Sequence, residues 1–272
     1  LSGTPVMNKD FSWDINFNFA RNKNEVLELP FPLTILRNSD ASIINVAEGA
    51  SYPGRSLTSI SATDYVRDPD GNIVIDANGY PTFNTLFSYA GDRAPKYTLG
   101  LTNSFRYKNA EFSFLVDIRK GGDVINGNEW ELIRSGLGKQ TEDRGKQVVF
   151  NGVVRNTDGT FSKNTRQVEL TQGYYENNLA AVGTAFIEDG SWIRLRTVTV
   201  NYTLSKRYTP KVFSNLNLFV TGRNLLLFTN YSGIDPEVGV SGAGVRGGGS
   251  AGLDYGGVPS RRGFDLGLKV GF

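Results

Sequence analysis

Apolar and polar side chains alternate with a period of two along several stretches of this 272-residue chain, the signature of β-strands with one apolar and one polar face. In FSWDINFNFA, Phe11, Trp13, Ile15, Phe17 and Phe19 fall on one side, and Ser12, Asp14, Asn16, Asn18 and Ala20 on the other. The pattern returns with Tyr97, Leu99, Leu101, Phe105 and Tyr107 against Lys96, Thr98, Gly100, Thr102, Ser104 and Arg106. Past the short turn YKNAE, Phe112, Phe114, Val116 and Ile118 alternate with Ser113, Asp117 and Arg119, so a hairpin with coincident apolar faces is predicted. Only Leu115 breaks its polar side.

A later run places Val198, Val200, Tyr202 and Leu204 opposite Thr197, Thr199, Asn201 and Thr203. The WIRLR segment before it has reversed sidedness, which a β-bulge would reconcile. Leu216, Leu218 and Val220 continue the series, interrupted by Phe219, and Phe264, Leu266, Leu268, Val270 and Phe272 alternate to the last residue.

A soluble β-sandwich also alternates, so single strands do not decide the class. Two features of the set favour a membrane barrel. The polar faces are rich in Asn, Thr, Ser and Gly, as a wet lumen requires, and the connections are unequal in length. Short turns at YKNAE and LSKRYTPKVFSN contrast with long connections from Asn22 to Tyr52, Lys120 to Gly190 and Thr229 to Arg262. Outer-membrane barrels put short turns inside and long loops outside, whereas compact soluble domains seldom hold several long connections without structure of their own. Phe11, Trp13, Tyr107 and Tyr202 sit beside the short turns, where an interfacial aromatic girdle is expected. The predicted fold is all-β, a transmembrane antiparallel β-barrel. Between Tyr52 and Pro81, ISATDYV and NIVIDA read as short strands joined by DPDGN that either cross the membrane as a hairpin or fold in the lumen. Orientation requires zero or two crossings between the Phe11 and Lys96 strands.

Composition agrees: 12% of residues are aromatic and 32 are glycine. No segment approaches the roughly 20 apolar residues of a membrane helix, and a mean hydropathy of -0.28 is uninformative for strands that are apolar on one side. Cysteine and histidine are both absent, which removes disulfides, common zinc sites and the Cys-His and Ser-His-Asp nucleophilic arrangements. A formal charge of +2 with mixed signs gives no nucleic-acid footprint. No enzyme activity, cofactor or metal is expected.

Asp68, Asp70 and Asn72 in DPDGN are spaced like the start of a calcium loop, but Gly79 stands where a bidentate carboxylate is needed, so a turn is predicted. GVSGAGVRGGGSAG lacks the Gly-Lys-Ser/Thr ending of a phosphate loop and reads as a mobile external loop. Glu129 with Glu131, or Glu142 with Asp143, are poor candidates for a glycosidase pair, since adjacency in a loop does not set their separation. Trp130, Tyr174, Tyr175 and Tyr231 in the long connections are candidates to contact substrate or partner by stacking, with burial against other loops the competing role.

The segment DGSWIRLRTVTVNYTL resembles the antepenultimate strand of SusC/RagA-type TonB-dependent transporters. LNLFVTGRNLLLFTNYSGIDPEV is similar to that family's carboxy-terminal signature, and LDYGGVPSRRGFDLGLKVGF to its closing segment with a final phenylalanine. SGTPVMNKDFSWDINFNFARNKNEV and PKYTLGLTNSFRYKNAEFSFLVDIRKGGDVIN resemble its upstream strand and hairpin. The resemblance spans nearly the whole chain, apart from stretches near Asn38 to Pro53 and Asn128 to Ala185.

This resemblance implies that residues 1–272 are the carboxy-terminal part of a barrel of about twenty-two strands, with the plug domain and amino-terminal strands outside this chain. Lone strands would leave backbone groups unpaired in lipid, so the remaining strands come from another chain or a further segment. The implied function is import of oligosaccharides or peptides across the outer membrane of a Gram-negative, Bacteroidetes-type bacterium. A SusD-like surface lipoprotein would be the partner, and the TonB complex would act through the plug. By analogy with outer-membrane proteins generally, Phe264, Leu266, Leu268, Val270 and Phe272 resemble the signal read by the barrel-assembly machinery. A self-contained small barrel acting as adhesin or anchor, and a soluble carbohydrate-binding sandwich, are the alternatives.

Overall fold

Alternation on this scale requires neighbouring strands whose apolar sides coincide, and the computed structural model, which describes residues 1–37, 44–239 and 252–272, contains such a sheet. Its strands are Ser2–Met7, Phe11–Ala20, Tyr97–Tyr107, Ala110–Lys120, Trp192–Thr203, Asn215–Thr229 and Gly263–Gly271, arranged in chain order. Every neighbouring pair is antiparallel. The result is an up-and-down wall, consistent with the all-β barrel expected. Within the described residues the Ser2–Met7 and Gly263–Gly271 strands are its two free edges.

Register aligns the apolar residues into rungs. One runs Trp13, Phe105, Phe112, Val200, Val220, Leu266, and the next runs Phe11, Tyr107, Ala110, Tyr202, Leu218, Leu268. Phe264, Leu266, Leu268 and Phe272 are all largely exposed, as are Val200, Val220 and Phe228, so among the described residues nothing covers this face. One polar side chain interrupts it. Asn103 is buried between its neighbours, and its Oδ1 accepts the Trp13 Nε1–H at 3.0 Å, satisfying an indole donor that hydrocarbon could not.

The reversed sidedness of WIRLR is resolved by a bulge. Leu195 faces Val116 while Thr197 faces Leu115, so Arg196 is the extra residue, and Ile193 and Leu195 regain the face of Val198 and Val200. On the other side the Asn215–Thr229 strand bulges at the same level, with Asn224 at φ 50.

The Phe11–Ala20 strand pairs directly with Tyr97–Tyr107, Phe11 opposite Tyr107 and Ala20 opposite Thr98. Residues 21–96 therefore insert no wall strand between them, as the zero-crossing alternative requires. At one end of the wall lie the short turns after Met7, Tyr107 and Thr203; the Lys108 N–H donates to the Asp10 carbonyl at 2.8 Å and the Thr203 N–H to the Asn109 carbonyl at 2.8 Å.

At the other end lie the long connections, in which the short strands expected of ISATDYV and NIVIDA are present as Ser59–Tyr65 and Val74–Ile75. They fold together as a cap with its own core, including Ile44, Ile60, Ile125, Ile133, Phe186 and Leu253. One four-stranded antiparallel sheet is made of Leu36–Arg37, Ala47–Ser51, Ser59–Tyr65 and Phe83–Asp92. The helix Gly127–Arg134 starts at Asn126, whose Oδ1 accepts the Glu129 N–H at 3.0 Å. The first and second connections lock where Thr63 Oγ1 donates to the Ala181 carbonyl at 2.7 Å and accepts the Gly183 N–H at 2.8 Å. A side chain on Gly183 would strike the Val46 carbonyl.

Candidate functional site

The opposite face of the wall is a hydrogen-bonded polar surface. Thr4 Oγ1 donates to Asp14 Oδ1 at 2.6 Å, the hydroxyls of Thr199 and Thr221 meet at 3.0 Å, and Arg223 pairs with Asp265 at 2.5 Å. Phe219, the interruption visible in the sequence, lies over Gly267, where any side chain would collide with its ring, and the Lys269 ammonium sits 5.5 Å from the ring centre. A large ring on the polar face is thus matched by a missing one on the neighbouring strand.

Where wall meets cap, the bulge aims Arg196 at a chain of charges. Arg194, 3% exposed, donates from Nη2 to Asp235 Oδ1 at 2.6 Å, and its Nε lies 3.0 Å from Glu237 Oε2. Arg196 reaches Glu237 Oε1 at 2.5 Å and Asp117 Oδ2 at 2.9 Å. Both guanidinium groups stand over the buried Trp192 ring, at 5.6 and 4.8 Å. Burial pushes the Asp235 carboxyl up, but backbone N–H donors from Glu237 and Ser260 together with Arg194 outweigh it and hold the group below its ordinary value. This junction ties the segment after Thr229 to two wall strands, and sequence reasoning missed it. Its only signal was the pairing of an arginine-rich bulge with the DPE triplet, separated by about forty residues in a chain with no period linking them.

The aromatic candidates in the long connections occupy the cap. Trp130, Tyr175 and Tyr231 are buried at 8%, 4% and 5% exposure. Each has its polar atom in an internal bond: Trp130 Nε1 to the Ala180 carbonyl at 2.8 Å, Tyr175 OH to the Gln140 carbonyl at 3.0 Å, and Tyr231 OH to Asp254 Oδ2 at 2.7 Å. Burial, followed by the Asp254 bond, raises the Tyr231 phenol well above its usual range. These three hold loops to one another. Tyr174 differs: it is half-buried and stacks on Tyr80 at 5.9 Å, with Phe150 at 5.0 Å.

The other candidates are turn and surface elements. Asp68 uses both carboxylate oxygens inside its turn, accepting the N–H of Asp70 and Asn72 and the Asn72 amide. Glu131 pairs with Arg134 at 2.9 Å and Asp143 with Lys146 at 2.5 Å. Among the described residues no group of three or more His, Cys, Asp or Glu is placed to hold a metal ion. Of the glycine-rich run from 239 to 252, all but its two end residues lie outside the described residues.

The cap does contain an open cleft of about 690 Å³ beside the start of the helix, lined by Asn126, Asn128, Glu129, Leu132, Ile234 and Tyr255. Its Asn128 amide is oriented by Asp254 at 2.8 Å and by the Gly256 N–H at 2.7 Å. Burial and the nearby Glu188 raise the Glu129 carboxyl. Amides, a carboxyl and a tyrosine ring around exposed Leu132 and Ile234 can hold a polar solute with apolar patches.

No family model matches the chain. Over its whole length it is 28% identical to TonB-dependent receptor P3 of Formosa agariphila, covering 28% of that protein. It is 25% identical to TonB-dependent receptor SusC of Bacteroides thetaiotaomicron, covering all of this chain and 26% of that one. The chain thus spans about a quarter of the length of the curated relatives it matches. Among solved structures, the RagAB peptide importer in its open-open state superposes with a TM-score of 0.66 at 17% identity, over 100% of this chain and 28% of that one. Its closed-closed state gives 0.64 at 17% identity, over 99% and 28%.

Proposed function

We propose, for a chain that is a fragment of a SusC/RagA-type TonB-dependent transporter, that it forms the carboxy-terminal stretch of the wall and much of the outer cap of an outer-membrane importer. The observation that carries this is the exposed apolar face running across successive wall strands and backed by a polar one, which is the cross-section a lipid-embedded, water-lined barrel needs. The two free edges support completion of the wall by further strands. The chain contributes surface, not covalent chemistry. Solute passes along the Thr, Asn and Ser face after contact with the cap, whose cleft suits an oligosaccharide or peptide.

A SusD-like surface lipoprotein closing over the cap, and a TonB-driven plug within the lumen, complete the proposed machine. The cap then lies outside the cell and the short turns face the periplasm. The test is labelling of the complete transporter by a carbene reagent confined to the lipid phase. Phe17, Leu101, Phe114 and Leu268 should react, and Asn16, Thr102 and Ser113 should not. The reverse pattern, or labelling of neither set, removes the importer reading together with its location.

A further inference from the structure

At the cap end of the wall the last apolar-face residues of two neighbouring strands, Phe19 and Tyr97, stack at 5.8 Å. Directly beyond the rings lies a hollow of about 420 Å³, lined by these rings, by Arg21, Lys23 and Lys96, and by Ser56 and the Asp92 carboxylate. The three cationic side chains are exposed, and none forms an ion pair or side-chain hydrogen bond among the described residues. The carboxylates around them are engaged elsewhere. Asp92 Oδ1 accepts Thr58 Oγ1 at 2.7 Å and the Ala94 N–H at 2.9 Å, Asp123 accepts the Asp92 N–H at 2.8 Å, and Asp189 accepts Ser191.

The backbone beside the cations is anchored, and so is the Lys96 stem. Asn24 Oδ1 accepts the Leu57 N–H at 2.7 Å, and the Val26 N–H donates to the Arg55 carbonyl at 2.8 Å, so the chain bearing Arg21 and Lys23 is pinned to the cap. The Lys96 N–H donates to the Lys120 carbonyl at 2.7 Å, and its stem crosses Gly121, where a side chain would come within 2.9 Å of Lys96 Cγ. Three cations without an ion-pair contact among the described residues therefore line one hollow where the apolar band ends, with Lys96 also in the field of Asp123 and Asp189, above an aromatic pair of the kind that settles at a lipid–water boundary.

From this arrangement we infer that the hollow is a binding site for the phosphate of an anionic lipid headgroup in the leaflet beside the cap. The inference rests on the reading that the apolar wall face lies in lipid. A lipid, not a free anion, is its occupant because the hollow opens onto the exposed ring of Phe19, where the glycerol and first methylenes of a lipid would lie. Each cation near a charged headgroup strengthens attachment by roughly fivefold, so removing three should matter severely.

The complete transporter carrying Arg21→Gln, Lys23→Gln and Lys96→Gln together would be placed in nanodiscs of phosphatidylcholine with a minor share of phosphatidylglycerol. Lipid carried by the protein after release would be read by native mass spectrometry. The unmodified protein should retain phosphatidylglycerol preferentially, and the triple variant should lose that preference at least tenfold. A control with Lys139, Arg155 and Lys163 changed to Gln should keep it. Equal retention by the triple variant overturns the site, as does displacement of the lipid by millimolar inorganic phosphate, which would mark a free-anion site. Exclusion of the unmodified protein from the discs would instead remove the membrane reading beneath it.

Discussion

Val198 and Thr199 are adjacent in one wall strand, and the structure assigns them opposite fates. Val198 belongs to the middle apolar rung, opposite Phe114 on one side and Gly222 on the other, while Thr199 lies on the polar face with its hydroxyl 3.0 Å from that of Thr221. The apolar rungs from Phe11 to Phe19 span roughly 27 Å along the strand at about 3.4 Å per residue, or roughly 20 Å across the membrane at a tilt near 40°. Val198 sits at the centre of that span, where an arginine on the lipid face costs about 3 kcal/mol, or roughly 150-fold in the folding equilibrium. Thr199→Arg loses one hydroxyl contact and gains a wetted cation, a change of about 1 kcal/mol or less. The assay is a urea titration of the complete barrel in lipid vesicles, followed by the gel shift between folded and heat-unfolded protein. Val198→Arg should move the midpoint strongly and Thr199→Arg little. Equal shifts for the two would refute the assigned faces, whatever the barrel's overall stability.

Other expectations follow from the same geometry. Deleting Phe272, which packs edge-on against Phe213 at 5.5 Å, should lower the amount of protein inserted in the outer membrane, measured by fractionation; unchanged insertion removes its role as an assembly signal. Arg194→Met should destabilise the cap–wall junction by about 3–5 kcal/mol, because it strands a buried Asp235 carboxylate, and should expose the segment after Thr229 to protease. Since the folded-state carboxyl of Asp235 is held below its unfolded value, its contribution is present above the ordinary carboxylate range and is lost as pH falls through the depressed value. Protease resistance of that segment should therefore hold at pH 6 and fail only in stronger acid, and resistance that rises on acidification would contradict the assignment.

The wall was legible in the sequence because its period is local. Phe11 to Phe19 and Phe264 to Phe272 announce their faces without reference to any partner, and the reversal at WIRLR pointed to a bulge that Arg196 supplies. The cap was not legible, because its core joins residues such as Ile44, Ile125, Phe186 and Leu253 from three separate connections with no repeat between them. The same cause left Trp130, Tyr175 and Tyr231 between two readings, contact with a substrate or partner and burial against other loops. An aromatic in a long connection looks available until the connection is seen to fold over it.

Ala20 and Thr98 face each other across one strand spacing, so the chain leaves the sheet and re-enters it at neighbouring points about 4.8 Å apart. Such a gateway tolerates inserts of almost any length, since doubling an insert adds only about 0.6 kcal/mol of closure entropy. Lineages could therefore exchange the outer segments while leaving strand register intact. The grip of Thr63 on Ala181 and Gly183 adds a condition: an exchange of the first insert that removes this contact also loosens the second, so the two outer segments are mechanically one part.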